Sequence, residues 1–400
     1  MKQSTLYKIL FSFVFFFIFL YLRDELIKTA LLNVTSKETM TTISVGAILL
    51  LSMLIFVVNF NHIFSRHRLF KSLFLFFLTS YMLAIWHSLE TPLGARYMYG
   101  SLLLPLIGFL LFYFFTIKIK NINFLILMVN FLVIGLIITY FQTFSYRSVF
   151  VDNFNFIDRS TYILLYLLPF VFCNNNNYIK WFFVSIIVIL LLTSFKRAGA
   201  AMAVISVITY IYVTNKTTEK SKKKYYYFVL VSIAILLIYV FSTDALYDNF
   251  LLSRFRRLPE DEGSGRINVW LTTIKLIRNS NWLGLLFGHG YDQVIAHPLA
   301  TYSAHNDFLE ILYDYGLIVL ILFVYLFIQL FKYVRSLVLI KSKFAAPLAV
   351  SFVQLLIGSS VSHIILYPSY TFIFALFWGM VISATESDVF VMNRQLKRRI

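Results

Sequence analysis

The chain has 400 residues, 60% of them hydrophobic against 13% charged, with a mean hydropathy of +0.80. Soluble proteins carry about a quarter charged residues, so a water-soluble globular fold is excluded and an integral membrane protein is expected. The net charge of +17 does not point to nucleic acid, because much of the Lys and Arg falls in short hydrophilic breaks between apolar runs, where it orients helices. The single Cys, Cys173, leaves no internal disulfide and no Cys-based metal site.

About twelve apolar runs are long enough to cross a bilayer at ~20 residues each. They cover roughly 5–22, 41–60, 69–87, 98–117, 122–142, 160–174, 178–195, 198–213, 225–242, 315–333, 344–362 and 366–385. The first has no small-residue cleavage site after it and reads as a retained span. The sixth is short and contains Pro169, so a tilted, kinked or partly re-entrant segment is expected there. If the N-terminus lies in the cytoplasm, the inside breaks collect Lys2, Lys8, Arg66, Arg68, Lys71, Lys118, Lys120, Lys180, the Lys216–Lys224 cluster, Lys332, Arg335, Lys341, Lys343 and the basic tail. The short loops then obey the positive-inside tendency. Both termini are expected in the cytoplasm and the long segment 243–314 on the outer face. Asn174–Asn177 and Glu219–Lys224 read as solvated, orienting turns. No internal repeat is visible. No Walker, Rossmann or HExxH pattern is present either, so a pump or ATPase has no support.

The expected fold is therefore an all-α polytopic membrane protein. It has transmembrane helices 1–9 in residues 1–242, a large outward loop with short amphipathic helices in 243–314, and helices 10–12 with a basic tail in 315–400. The basic residues left on the outer face run against the charge rule, so each needs a reason. Arg96 precedes a span, and Arg159 sits beside Asp158 before the sixth. Lys196 and Arg197 lie in the tight SFKRAGAA turn, followed by the small residues Ala198, Gly199, Ala200 and Ala201. Snorkelling to lipid phosphates is the plain reading for Arg96 and Arg159. At Arg197 the small residues would let a ligand or another helix approach closely.

Within the long loop, residues 243–262 read as a flexible linker. From Arg266 the pattern turns helical: Ile267, Trp270, Leu271, Ile274 and Ile277 recur at three and four residues. An amphipathic helix lying along the outer interface is expected, with Trp270 and Trp282 suited to that depth. Gly284, Gly288 and Gly290 make a segment where backbone can approach a ligand. In SAHNDFLEILYDYG, Ser303 is the expected N-cap and Asp307 a first-turn charge. His305, Leu309, Leu312 and Gly316 would share one helical face, and Asp307, Glu310 and Asp314 another. This helix is expected to run directly into the tenth span, leaving His305 at its polar mouth. Asp152, Asp158, Asp292, Asp307, Glu310 and Asp314 could contact sugar hydroxyls, although solvated or capping roles are the plainer reading.

Permanently charged Arg binds phosphate as a fork, and a neutral His near physiological pH can take a proton. Together they suit transfer from a lipid pyrophosphate. Arg would hold the diphosphate and stabilise the leaving group, while His activates an acceptor hydroxyl.

The sequence GR-x3-W, then a Gly-rich segment, then HN-x-FL-x2-L-x3-G entering a span resembles the O-antigen ligase/polymerase superfamily. The residues that carry the likeness are Gly265, Arg266, Trp270, Gly288, Gly290, His305, Asn306, Phe308, Leu309, Leu312 and Gly316. The resemblance implies inverting glycan transfer from undecaprenyl pyrophosphate at the periplasmic face of the bacterial inner membrane, with no metal and no cofactor. It carries catalytic roles onto Arg197, Arg266 and His305. Arg96, Arg159, Lys196, Asn306, Gly288, Gly290 and Trp270 are the expected substrate contacts. The family often shows Ser-Arg-Gly in the turn before the loop. Here the turn is Lys196-Arg197-Ala198-Gly199, so Arg197 matches while the Ser and the Gly spacing do not. The implied partners are a lipid-linked glycan donor and acceptor, membrane lipids, and as a further candidate a chain-length regulator protein. A polymerase joining repeat units is favoured by the richness in Phe, Ile, Asn and Lys, with 44 Phe. A ligase moving polymer to lipid A–core is the alternative. A transporter of lipid-linked glycan is the reading from a different class, against which stand the absence of paired halves and the asymmetric loop.

Overall fold

A computed structural model of the chain describes residues 3–30, 43–50, 52, 64, 67–88, 103–150, 160–193, 197–218, 266–300, 302–365 and 367–397. Among the described residues there are helices and no strands. Among the described residues up to 217, the helices are α1 (Gln3–Ala30), α2 (Arg68–Ser88), α3 (Leu104–Ile119), α4 (Ile122–Phe150), α5 (Thr161–Phe172), α6 (Asn177–Thr193) and α7 (Arg197–Thr217), with residues 43–50 also helical. Four short ones follow in the long segment: α8 (Arg266–Asn279), α9 (Trp282–Phe287), α10 (Gln293–Ala296) and α11 (Asp307–Asp314). The last three are α12 (Gly316–Leu339), α13 (Ala345–Val361) and α14 (Pro368–Lys397).

Among the described residues, six helices are long and apolar enough to cross a membrane: Ser4–Lys28, Arg68–His87, Ile122–Thr143, Ala198–Thr217, Gly316–Leu339 and Pro368–Val389. Four shorter apolar helices accompany them, at Leu104–Ile119, Thr161–Phe172, Asn177–Leu191 and Ala345–Val361. The expected run 225–242 lies outside the described residues, and so does most of 41–60. Large apolar side chains such as Phe13, Phe16, Phe131, Phe141, Ile321 and Phe331 point outward. In water such a surface would aggregate; in lipid it is the ordinary solvent-facing side.

Helix α5 occupies the middle. All of its residues are buried, and it packs against α1, α4, α6, α7, α13 and α14. A helix apolar on every side must be covered on every side. Its twelve residues (Thr161–Phe172) reach about 18 Å at 1.5 Å per residue, too short for a free span. Pro169 lies inside the helix.

Ring contacts fix which helix ends meet. Tyr162 and Tyr166 at the start of α5 face Tyr370 at the start of α14, with ring centroids 6.1 and 5.0 Å apart. Trp86 at the end of α2 faces Phe287, 5.8 Å away. α13 ends at Val361 and α12 begins at Gly316 beside them. The four short helices α8–α11 cover this end of the bundle: α9 and α11 pack on α12, and α8 and α10 pack on α11. At the other end His67, Tyr113 and Glu386 tie α2, α3 and α14 together. His67 Nε2 is 3.0 Å from Tyr113 Oη, which donates to Glu386 Oε2 at 2.8 Å.

The expected unbroken helix from 303 into the tenth span is corrected. α11 stops at Asp314, Tyr315 has φ −120° and ψ −6°, and α12 starts afresh at Gly316 with φ +79°. The amphipathic helix from Arg266 is present as α8, but its inner face differs from the expected one. Thr273 and Leu276 are buried, while Ile267 and Leu271 project outward. Leu276 joins Val294, Ala304 and Tyr313 in a small second core beneath α8. This core is what holds α8 down, so the buried stripe follows Thr273 rather than the most apolar stripe.

Candidate functional site

The N-cap of α11 is Asn306, not Ser303. Asn306 Oδ1 accepts the amides of Phe308 and Leu309 at 3.0 and 3.2 Å, and its Nδ2 donates to the Ser360 carbonyl at 3.1 Å. Both Ser and Asn are good caps; Asn306 wins because it also reaches α13. Truncation to Asn306→Ala is expected to cost about 1 kcal/mol from the lost cap alone, seen as a lower melting temperature of the purified protein. An unchanged melt would show that the cap is not what fixes this turn. Just before the cap, His305 adopts φ +51°, a left-handed conformation that costs about 1–3 kcal/mol for a non-glycine residue. It is therefore not on the helical face expected for it.

Several bonds hold that turn. Ser303 Oγ lies 3.1 Å from His363 Nδ1. The Ala304 amide donates to Glu310 Oε2. The His305 ring stacks on His363, with centroids 4.1 Å apart and planes at 25°. Asp307 accepts the amides of Ile364 and Ile365, at 3.1 Å and 3.4 Å to Oδ1. The half-buried His305 is thus clamped between the start of α11 and the 362–367 connection.

Asp307, Glu310 and Asp314 share the inner face of α11 and are 0%, 3% and 0% exposed. They are not solvated. Asp314 accepts the amides of Asp292, Gln293 and Val294 at 2.9, 3.1 and 3.2 Å, which fixes the turn into α10. Burial pushes the Asp307 carboxyl up to about 7, against the amides that hold its ionised form. Burial first, and neighbouring carboxylates second, also raise Asp314; Glu310 is raised by burial and by Asp292 and Asp307. Asp292 is raised by burial.

Between about pH 4, where a free Asp titrates, and about 7, folded Asp307 keeps a proton that the unfolded chain has lost. Its stabilising contribution is complete below that window and shrinks as pH rises through it, and the other three carboxyls act in the same direction. The melting temperature of detergent-purified protein is expected to fall from pH 4.5 to 7.5, and Asp307→Asn to flatten part of that fall. A melting temperature that rises over this range would contradict the burial of these groups.

The Gly-rich segment packs on the end of α11. The His289 amide donates to the Tyr313 carbonyl at 3.0 Å, and the Gly290 amide to the Asp314 carbonyl at 2.8 Å. Gly288 and Gly290 have φ +79° and +114°. His289 is 2.8 Å from Ser280 Oγ through Nε2 and stacks on Tyr313 at 4.5 Å. Burial, then His87 and His297, lower its pKa. His297 Nδ1 accepts the Leu299 amide at 3.2 Å. Of the three His in this segment, these two brace loops, and His305 alone stands in a left-handed turn.

Arg266 begins α8 half-buried, one turn from Trp270, whose Nε1 is buried and meets no hydrogen-bond acceptor among the described residues. α8 packs on α11, whose first residue follows His305 by two positions. Arg197 is the first residue of α7, which packs along α13; Gln354 of α13 donates to Ser206 Oγ of α7 at 3.1 Å. Arg96, Arg159 and Lys196 lie outside the described residues, as do Asp152 and Asp158. The structure therefore brings His305, Asn306, the Gly288–Gly290 turn and the helix that begins at Arg266 to one end of the bundle. The residue that the sequence did not single out is His363, a lone His after an apolar run with no motif around it.

The helices and their outward apolar belt define a multi-pass membrane protein with a polar cap of short helices at one end. The family model described as O-antigen ligase (Wzy_C) matches residues 182–324, from within α6 to within α12. That match supports the O-antigen ligase/polymerase superfamily, whose members are glycosyltransferase-like enzymes. A search of curated proteins found no match.

Proposed function

We propose that this protein polymerises oligosaccharide repeat units linked to undecaprenyl pyrophosphate at the periplasmic face of the bacterial inner membrane, with about twelve spans and both termini in the cytoplasm. The observation that carries the reading is His305, whose ring is clamped by the stack on His363 at the polar end of an otherwise apolar bundle. In the reaction an acceptor hydroxyl attacks the anomeric carbon as its bond to the diphosphate breaks. The hydroxyl proton passes to His305. The bonding electrons leave with the undecaprenyl pyrophosphate, whose charge Arg266 and Arg197 stabilise. No general acid is needed for this step, because the diphosphate is a good leaving group, and Arg266 and Arg197 supply the positive charge that a metal would otherwise bring.

The test is a lipopolysaccharide gel from a strain lacking the protein. Cores bearing a single repeat unit are the expected result and mark a polymerase. Bare cores with long polymer still on its carrier would instead make the protein a ligase, the activity that the matching family's description names. An unaltered ladder would overturn both.

A further inference from the structure

We infer that His363 is a positioning residue for His305, so that the connection between α13 and α14 supplies the second half of the site. The inference rests on the role of His305 proposed above. It concerns a residue beyond the stretch matched by the family model, which ends at 324.

The geometry is specific. His363 is 6% exposed, fifty-eight positions along the chain from His305, and its ring covers one face of the His305 ring at 4.1 Å and 25°. Its other contacts fix it in turn. Ser303 Oγ bonds its Nδ1 at 3.1 Å, and the Tyr367 ring lies 5.8 Å away. Three further bonds tie the same stretches of chain together: Asn306 donates to the Ser360 carbonyl, and the amides of Ile364 and Ile365 donate to Asp307. A base must hold its nitrogen within about 3 Å of the hydroxyl it deprotonates. His305 sits in a short left-handed turn, outside any helix, so its backbone does not orient the ring. The flat face of His363 does: stacked on it, the His305 ring cannot turn freely about its last side-chain torsion. His363 itself need not touch substrate.

The experiment measures turnover in proteoliposomes with an undecaprenyl-pyrophosphate-linked repeat unit, for the wild type and His363→Ala, His363→Gln and His363→Phe. Phe keeps the flat ring and loses the Ser303 bond; Gln keeps a polar partner for Ser303 and loses the ring. Ala and Gln are expected to lower kcat about 10–100-fold, as a misplaced catalytic group does, with KM little changed. Phe is expected to keep most of the wild-type kcat. Wild-type kcat in Gln would overturn the inference, and so would an active Gln beside an inactive Phe, or a rise in KM alone. If Ala does not fold, Phe against Gln decides. If none of the three folds, His363 is a core residue and the inference is wrong. His305→Ala is assayed alongside. Its full activity would remove the functional reading itself, whereas an inactive His305→Ala with a fully active His363→Gln would remove only this inference.

Discussion

Replacing His305 by alanine is expected to abolish the polysaccharide ladder and to slow turnover by about 10²–10⁴, the range that a positioned general base supplies. The protein should still fold, because the turn is also held by Glu310 at Ala304, by Asn306 at Ser360 and by Asp307 at the 364–365 amides. Alanine at φ +51° meets the same backbone cost as His, so the change removes the imidazole and little else. Arg266→Ala is expected to fail in the same assay for a different reason, the loss of charge at the departing diphosphate. Arg266→Lys should recover only part of the activity, since an ammonium cannot form the fork that a guanidinium offers to phosphate. The check is complementation of a deletion strain, with each variant's membrane level measured by immunoblot. A full ladder from His305→Ala at wild-type protein level would rule out a catalytic imidazole there.

The bundle was legible in the sequence because apolar runs of about twenty residues have few other solutions. α2 follows its hydrophobic stretch closely, and α4 and α12 start where theirs do but run on to Phe150 and Leu339. What the runs do not reveal is which helix is surrounded. α5 reads as a defective span, with its Pro169 and its shortness, and it proves to be the central helix, covered by six neighbours. The cap of α11 was misplaced by three residues because Ser303 and Asn306 are equally good caps locally, and the choice is made by a carbonyl on α13. The acidic stripe of α11 was visible as a stripe, but its direction was not. Asp307 and Asp314 point inward because loop amides at 364–365 and 292–294 would otherwise be buried without acceptors, at a cost of about 1–3 kcal/mol each. That demand arises from chain segments far apart in sequence. His363 was invisible for the same reason, since its partner lies on another element.

The glycines of this region make the second large prediction, that Gly316→Ala and Gly288→Ala each deprive the protein of its folded polar cap. A Cβ at Gly316 would lie 2.3 Å from the Leu286 carbonyl oxygen, and one at Gly288 would lie 2.1 Å from that of Asp314. Both obstacles are backbone, so no side-chain rotation relieves them. The conformations add to the strain: Gly288 has φ +79° and ψ −170°, a region that is essentially glycine-only and costs other residues about 1–3 kcal/mol before any clash. The two glycines interlock the 286–290 turn with the junction of α11 and α12, the same junction where the amides of His289 and Gly290 meet the end of α11. Either alanine must therefore push α9 off α12. The expected result is a large drop in monodisperse protein on gel filtration of detergent extracts, and a much lower melting temperature for what remains. Because both substitutions open one contact, the double variant should be less damaged than two independent losses would make it. Full additivity, or a normal melt for either single variant, would mean that the turn and the junction are not locked together. The consequence for function follows from the order of the elements. The locked turn leads through α10 and the 297–304 stretch to His305, so a cap that loosens at Gly288 or Gly316 should also lose transfer activity in any protein that survives extraction, although neither glycine has a side chain to offer the reaction.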